Sequence, residues 1–289
     1  MLRPLLPCAL VLLTALASSG EAVVVRASQA VTPIIESAKT LVAAKYPDAT
    51  FKITPCGTKA SVEAVAGGTA QLGATARKLK DDEKAATPDL VLTEIAKDGV
   101  ALVVNAANPV ANLTTKQVTD ILTGAVTNWK DLGGPDQAIA PVGRTEANAV
   151  VEFFDGVIGV EHQVVGEGKD QGMNYKAKGA AAFGTLKVPL TGKHLDALAM
   201  VAKDAGGFTY LPLGAAREAK AKGSTISIVT FNGIEATDAN VLSKTYVLSR
   251  SLYLLTKGEP QGVVKDLVAA ILAPEGQKIV AERGCIPLH

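Results

Sequence analysis

Along the chain, segments with a strand-like apolar pattern alternate with segments with a helix-like apolar pattern. Short apolar runs are separated by segments in which apolar residues recur every three or four positions. The runs predict strands at residues 23–26, 51–54, 72–76, 99–104, 139–142, 208–211, 226–231 and 246–256. Residues 166–184 are rich in glycine, lysine and alanine and predict a long loop. The alternation is typical of an α/β protein with mostly parallel sheets.

Several helical segments have recognisable ends. Thr32 is a possible N-cap of the first predicted helix, and Pro33 stands where the first helical residue should be. Thr114 and Gln117 form the pattern of a capping box, and Gly124 would end that helix. Further helices are predicted at residues 60–66, 194–205 and 213–222, and two more begin near Pro260 and Pro274.

The first 22 residues have the pattern of a secretory signal peptide. Arg3 supplies a positive start, residues 8–17 (CALVLLTALA) are apolar, and small residues follow up to Ala22. This apolar stretch is about half of the roughly twenty residues that span a bilayer, so an N-terminal anchor is the less favoured alternative. We therefore expect cleavage, a periplasmic or secreted location, and a soluble mature protein.

Charge and cysteine content narrow the classes of function. The 29 Lys and Arg nearly balance the 28 Asp and Glu, which gives no indication of a nucleic-acid or membrane surface. Three scattered His and the lack of a CxxC spacing argue against a metal site, and no cofactor is expected. Cys56 and Cys285 remain after processing. In an oxidising compartment they could form a disulfide, or they could be two buried thiols.

One long segment and several shorter ones carry a family resemblance. The segment LTTKQVTDILTGAVTNWKDLGG (residues 113–134) resembles the signature of the phosphate-binding proteins of bacterial ABC transporters. Other segments match the family in the same order: GGTAQLGATARKL (67–79), DGVALVVNAANPV (98–110), YVLSRSLYLLTKG (246–258) and GCIPL (284–288). The resemblance covers nearly the whole mature chain.

The resemblance implies a type 2 periplasmic-binding-protein fold. It would consist of two α/β lobes with mixed, mostly parallel sheets and flanking helices, and the ligand would lie in the cleft between them. Lobe 1 would comprise residues 23–107 and 246–289, and lobe 2 residues 108–245. Such a cleft agrees with the rule that ligands of open α/β sheets lie beyond the carboxyl ends of the strands.

A dehydrated tetrahedral oxyanion needs many fixed hydrogen-bond donors. Backbone N–H groups at helix N-termini, hydroxyl groups and an arginine supply them. Position by position, the resemblance implies donors, or residues that support them, at Ser28, Thr58, Arg77, Arg144 and Asn148. The plain alternatives are a turn or N-cap role for Ser28 and Thr58, a surface position for Arg144, and a role in ordering the cleft for Arg77.

Some positions depart from the family's pattern. Gln71 replaces an aspartate that accepts the proton of hydrogen phosphate, and the helix after Arg144 starts at Asn148 without the family's hydroxyls and glycine. The first turn has Gln29 and Ala30, where glycine and further hydroxyl residues are the pattern. We therefore hypothesise that Gln71 weakens the preference for phosphate over sulfate.

The predicted function is that of an exported substrate-binding protein. It would act as a monomer and capture phosphate, or a related small oxyanion, for an ABC permease in the membrane. The alternative is a diverged member that binds another small solute or no ligand and acts as a sensor or adaptor. An enzyme is disfavoured: Cys56 at a strand end suggests a nucleophile, but no His lies near it in sequence and no Ser/His/Asp cluster is visible.

Overall fold

The computed structural model describes residues 22–145 and 149–289. Ala22 is therefore the one residue of the predicted signal peptide whose position is described. The strands are β1 (Ala22–Ser28), β2 (Thr50–Cys56), β3 (Leu72–Thr75), β4 (Leu90–Asn105), β5 (Asn112–Leu113), β6 (Ala140–Arg144), β7 (Val160–Val165), β8 (Gly172–Ala177), β9 (Val188–Thr191), β10 (Gly207–Pro212), β11 (Ile226–Phe231) and β12 (Ser249–Lys257). The α-helices are α1 (Thr32–Ala38), α2 (Thr58–Ala66), α3 (Asp81–Ala86), α4 (Thr115–Thr123), α5 (Ala149–Ile158), α6 (His194–Lys203), α7 (Leu213–Ala221), α8 (Asp238–Leu242), α9 (Gly262–Leu272) and α10 (Pro274–Glu282).

Strand β4 joins two groups of strands. Its residues 90–99 pair with antiparallel β12, and its residues 100–105 pair with antiparallel β10 and β11. The chain crosses a second time through residues 245–248, where the Leu248 carbonyl accepts a hydrogen bond from the Val100 N–H. The strand order is therefore continuous, β2-β1-β3-β12-β4-β10-β6-β9-β8-β7, because both groups share β4.

The change of pairing partner puts the first crossing inside a strand. The lobe boundary that the resemblance implies, between residues 107 and 108, lies just after β4. We propose boundaries at the observed crossings: lobe 1 comprises residues 22–99 and 249–289, and lobe 2 comprises residues 100–248. Each lobe has its own apolar core, one around Val25 and Leu267 and the other around Phe154. The predicted two-lobed α/β architecture with mixed sheets is confirmed.

In lobe 1, parallel pairing places β1 between β2 and β3. Helix α2 packs on β1 and β3, and α1 contacts α9 and α10. The adjacent Ile34 and Ile35 of α1 are both fully buried, consistent with the apolar face that the sequence predicts. Burying one such side chain stabilises the fold by about 1.5–3 kcal/mol.

In lobe 2, β10 is parallel to β6 and antiparallel to β4, and β6 is parallel to β9. Phe154 of α5 stacks on Tyr210 of β10 with ring centroids 3.7 Å apart. Trp129, from the signature segment, is fully buried. Its indole N–H donates to the Gly206 carbonyl at 3.0 Å, so its one polar atom has a partner.

The region predicted as a long loop contains strand β8. This strand pairs with β7 along its whole length, and Met173 and Tyr175 are fully buried on alternate positions. The period of two was present in the sequence, but the glycines and lysines around it obscured the strand. That prediction was wrong.

The capping box of α4 is confirmed. The Thr114 hydroxyl accepts from the Gln117 N–H at 3.3 Å, and the Gln117 side-chain oxygen accepts from the Thr114 N–H at 2.8 Å. Gly124 ends the helix at φ 76°, a left-handed conformation that suits glycine. In the two described ranges, none of the helices is long and apolar enough to cross a membrane.

Candidate ligand-binding site

The carboxyl ends of the parallel strands in both lobes point towards the crossing segments. In lobe 1, the carboxyl end of β3, Thr75, pairs with Tyr253 of antiparallel β12. The amino end of β12, Ser249, continues in the same direction and lies opposite Gly99 at the crossing. In lobe 2, β10 ends at Pro212 opposite Val100, and β6 and β9 end at the same edge. The two carboxyl edges therefore face each other across the crossings, which is where ligands of α/β sheets bind.

Two hydroxyl groups lie on the lobe 1 edge. Ser28 ends β1 and is fully buried, and its Oγ has no hydrogen-bond partner in the described part of the chain. Thr58 opens α2, and its Oγ1 accepts from the Ala76 N–H at 3.3 Å, which leaves the hydroxyl hydrogen able to donate. The first N–H groups of α2 have no partner within the helix, and they form the positive end of its dipole at this same edge.

Arg77 follows β3 and is held by Glu83. Its Nη1 and Nη2 donate to the two carboxylate oxygens at 2.7 and 2.8 Å. This arginine lowers the pKa of Glu83 to about 2, and the same hydrogen bonds raise the pKa of Arg77, with a further contribution from the charge of Glu152 on α5. Arg77 thus orders the loop after β3, and the carboxylate of Glu152 in lobe 2 stabilises its charge.

Arg144 ends β6 and is fully buried. Its Nη1 donates to Thr191 Oγ1 at 2.9 Å and to the Lys193 carbonyl at 2.6 Å, and its Nη2 donates to the Gly192 carbonyl at 2.9 Å. Its Nε is buried with no partner within residues 22–145 and 149–289. Burial lowers the pKa of Arg144, but a guanidinium stays protonated at neutral pH. Nε and the second hydrogen of Nη2 form the side of the guanidinium that binds an anion in a fork.

His194 is a cleft residue that the sequence-based reasoning missed. It begins α6, directly after the carbonyl of Lys193 that Arg144 binds. It lines an interlobe cleft of about 680 Å³ together with Gln29 and Ala30, which follow Ser28. Burial, and secondarily the charge of Arg144, lower the pKa of His194 to about 4. The available signal was a histidine at the start of a predicted helix.

One predicted site residue lies away from this edge of lobe 1. Gln71 precedes β3 at the opposite edge of lobe 1, where its N–H and side-chain oxygen bond the backbone of Val24. Val24 precedes Ser28 by four residues, about 13 Å along a strand. The hypothesis that position 71 sets anion selectivity does not fit this placement. Asn148 lies outside the described residues.

The predicted disulfide is not formed. Within the described residues both Cys56 and Cys285 are free thiols. Cys56 ends the edge strand β2, where Arg26 is its charged neighbour, whereas Cys285 follows α10 near Asp98 and Arg250. Burial raises the pKa of Cys285 to about 12, so its thiol stays protonated at neutral pH.

The arrangement offers donors and a positive charge to a small anion. Ser28 and Thr58 lie at the carboxyl edge of lobe 1, and Arg144 lies at the carboxyl edge of lobe 2. Over the ranges that the structure covers, no group of three or more His, Cys, Asp and Glu side chains could hold a metal ion.

Known proteins with similar sequences share this architecture. A family model described as the PBP superfamily domain matches residues 14–273. The chain is 24% identical to the phosphate-binding protein PstS of Bacillus subtilis over 262 residues, which is 90% of this chain and 79% of that protein. It is 27% identical to the phosphate-binding protein PstS of Pseudomonas aeruginosa over 267 residues, or 84% of this chain and 76% of that protein.

Solved structures agree with the sequence comparison. A putative phosphate ABC transporter substrate-binding protein from Clostridium perfringens, solved with bound phosphate, is 29% identical with a TM-score of 0.70, covering 93% of this chain and 100% of that one. An ABC-type phosphate transport receptor from Vibrio cholerae has a TM-score of 0.74 at 23% identity, covering 91% and 99%, and shows the same fold. The chain, with two α/β lobes whose strand ends face each other, belongs to the PBP superfamily.

Proposed function

We propose that this protein is a substrate-binding protein that captures phosphate, or a related small oxyanion, between Ser28 and Thr58 of lobe 1 and Arg144 of lobe 2. The observation that supports this most strongly is a pair of buried donors. Ser28 Oγ and Arg144 Nε stand on facing edges, and neither has a partner among the described residues. A bound anion would accept a hydrogen bond from each of these two groups.

The energetics favour occupancy of such a site. Leaving a buried donor unsatisfied costs about 1–3 kcal/mol, and more for a charged group. Charge-assisted hydrogen bonds contribute about 1.5–3 kcal/mol each. A micromolar complex needs about −8 kcal/mol. Ser28, Thr58, Arg144 and the N–H groups of α2 together provide enough donors for that range.

The relatives support the choice of anion and the transport role. The curated relatives are named phosphate-binding proteins, and the Clostridium perfringens structure contains bound phosphate. By analogy, the protein is exported through its N-terminal signal, acts as a monomer, and delivers its ligand to an ABC permease. Its cleft binds the ligand and carries out no reaction on it.

Titration calorimetry on ligand-free protein tests this function. Phosphate should bind with one-to-one stoichiometry and a dissociation constant in the micromolar range or below. Arsenate should compete, because it has the same tetrahedral shape and charge. If neither anion binds, the function is wrong, and the alternative of a sensor or adaptor with another ligand or none takes its place.

A further inference from the structure

The donors of the candidate site do not by themselves distinguish phosphate from sulfate. Arg144 and the N–H groups of α2 only donate, and the Ser28 and Thr58 hydroxyls serve the proposed site as donors, with Thr58 also accepting from Ala76. Hydrogen phosphate carries a P–OH hydrogen at neutral pH, whereas sulfate is fully ionised. A site that prefers phosphate needs an acceptor for that hydrogen, because an unpaired donor in a dry cleft is costly.

Most of the carboxylates that line the interlobe cleft are already paired. Asp98 binds Arg250 in a buried ion pair at 2.9 Å, Asp238 pairs with Arg217 at 2.5 Å, and Glu218 pairs with Lys222 at 2.5 Å. Glu282 also lines the cleft but is exposed to solvent at the end of α10. Three of these four carboxylates are thus held by a cation, and the fourth is exposed to solvent.

His194 differs from these residues. Its Nδ1 is buried and lacks a partner in the portion of the chain that is described. The ring starts α6, immediately after the Lys193 carbonyl that receives Arg144 Nη1. Across the cleft stand Gln29 and Ala30, directly after Ser28. The imidazole therefore lies close enough to Arg144 for its charge to act on the ring, and it lines the same cleft as the two residues that follow Ser28.

The protonation state of His194 suits an acceptor. Its pKa of about 4 leaves the ring neutral at pH 7, and a neutral imidazole has one nitrogen with a free lone pair. A protonated ring would donate from both nitrogens and would serve sulfate as well as phosphate. Arg144 helps to keep the ring neutral, since its charge opposes a second positive charge nearby.

We propose that His194 is a specificity-determining residue, which accepts the P–OH hydrogen of hydrogen phosphate at Nδ1 while Arg144 and Ser28 bind the ionised oxygens. This rests on the proposed anion site and adds the feature that selects phosphate from sulfate.

Competition calorimetry at pH 7.5 with inorganic phosphate and sulfate tests the assignment. His194→Phe keeps a planar ring and removes the acceptor, and His194→Asn places a side-chain oxygen near the former Nδ1. We expect His194→Phe to lose about tenfold or more in phosphate affinity with sulfate affinity unchanged, and His194→Asn to recover part of the loss. His289→Phe, at the exposed C-terminal residue, is the matched control and should behave as wild type.

The outcomes separate the site from its selectivity. Wild-type protein that binds both anions equally, or a His194→Phe variant with an unchanged phosphate-to-sulfate ratio, overturns the role of His194 and leaves the anion site standing. An equal loss for both anions also overturns it, because that is the result of a merely structural role. Wild-type protein that binds neither anion overturns the proposed function itself. Thermal unfolding of each variant confirms that it is folded.

Discussion

Two arginines near the cleft differ in what neutralises their charge. Arg77 is held by both oxygens of Glu83, so its charge is balanced inside lobe 1. Arg144 is held by one hydroxyl and two carbonyl oxygens, and no carboxylate in the described ranges pairs with it. The charge of Asp196 acts on Arg144 without forming an ion pair. A buried guanidinium with no directly bound carboxylate attracts an added anion more strongly than one already paired. At the scale of single residues, Arg144 is therefore the main cation of the site.

Replacing Arg144 by lysine should reduce phosphate affinity by about tenfold to a few hundredfold. Lysine keeps the charge but has no planar fork, so at least one charge-assisted hydrogen bond, about 1.5–3 kcal/mol, is lost. Calorimetry measures the change. Arg217→Lys is the matched control, because Arg217 lines the cleft but is only half-buried and pairs with Asp238. Equal affinities for the Arg144→Lys variant and wild type would show that the anion lies elsewhere.

Glu83→Gln should destabilise the protein by about 1–2 kcal/mol at pH 7, after allowance for solvent screening at this partly exposed pair. The folded-state pKa of Glu83, about 2, lies below its ordinary value of 4.5, so its stabilisation is present above pH 4.5 and is lost as pH falls towards 2. Urea unfolding at pH 7 and pH 3.5 should show a smaller difference at the lower pH. Asp81→Asn on the same helix is the fully exposed control. A difference that grows as pH falls would contradict the assignment.

At the scale of elements, local signals and long-range pairing explain which predictions succeeded. Helix α4 carries its own capping residues and its own stop, so the sequence indicated both ends. Strand β8 depends on β7 and β9, which are distant partners, and its flanking residues resemble a loop. The first half of β4 was also missed, because residues 90–98 become a strand by pairing with β12 at the far end of the chain.

Gly124 ends α4, and Gly133 ends the short 3-10 helix Trp129–Leu132. Together they form a matched pair for testing how tightly the end of α4 is packed. Both have positive φ, 76° and 81°, so alanine should cost each of them about 1 kcal/mol in backbone strain. An added Cβ at Gly124 would lie 2.8 Å from Leu186 Cβ, whereas at Gly133 it would have no described atom within 4 Å. We expect Gly124→Ala to lower the free energy of unfolding by about 1–3 kcal/mol more than Gly133→Ala. Equal losses in chemical denaturation would show that Leu186 moves away freely.

At the scale of the whole molecule, the two lobes bring together residues that are far apart in sequence. The family resemblance implied Ser28, Thr58 and Arg144, and each of them also follows a predicted strand, where ligands of α/β proteins bind. It did not indicate His194, since the bonds of Arg144 to residues 191–193 span 47 to 49 positions along the chain. It misplaced Gln71, because a motif aligned with a strand does not show which end of that strand meets the other lobe.

An anion bound to both edges should also favour the closed arrangement of the lobes. Each lobe contributes donors, so the full set is satisfied when the edges approach. The ligand shifts the equilibrium by the difference between its affinities for the closed and open arrangements. The central claim is therefore that one anion bridges Ser28 of lobe 1 and Arg144 of lobe 2.

A crystal structure of the protein with arsenate, located by its anomalous scattering, tests this bridge most directly. Arsenate has the shape and charge of phosphate, and arsenic marks its own position. We expect one strong peak in the interlobe cleft, with arsenate oxygens at about 2.7–3.0 Å from both Ser28 Oγ and Arg144 Nε. A fully occupied arsenate that contacts neither atom, or a cleft that stays free of arsenate at saturating concentration, would contradict the account.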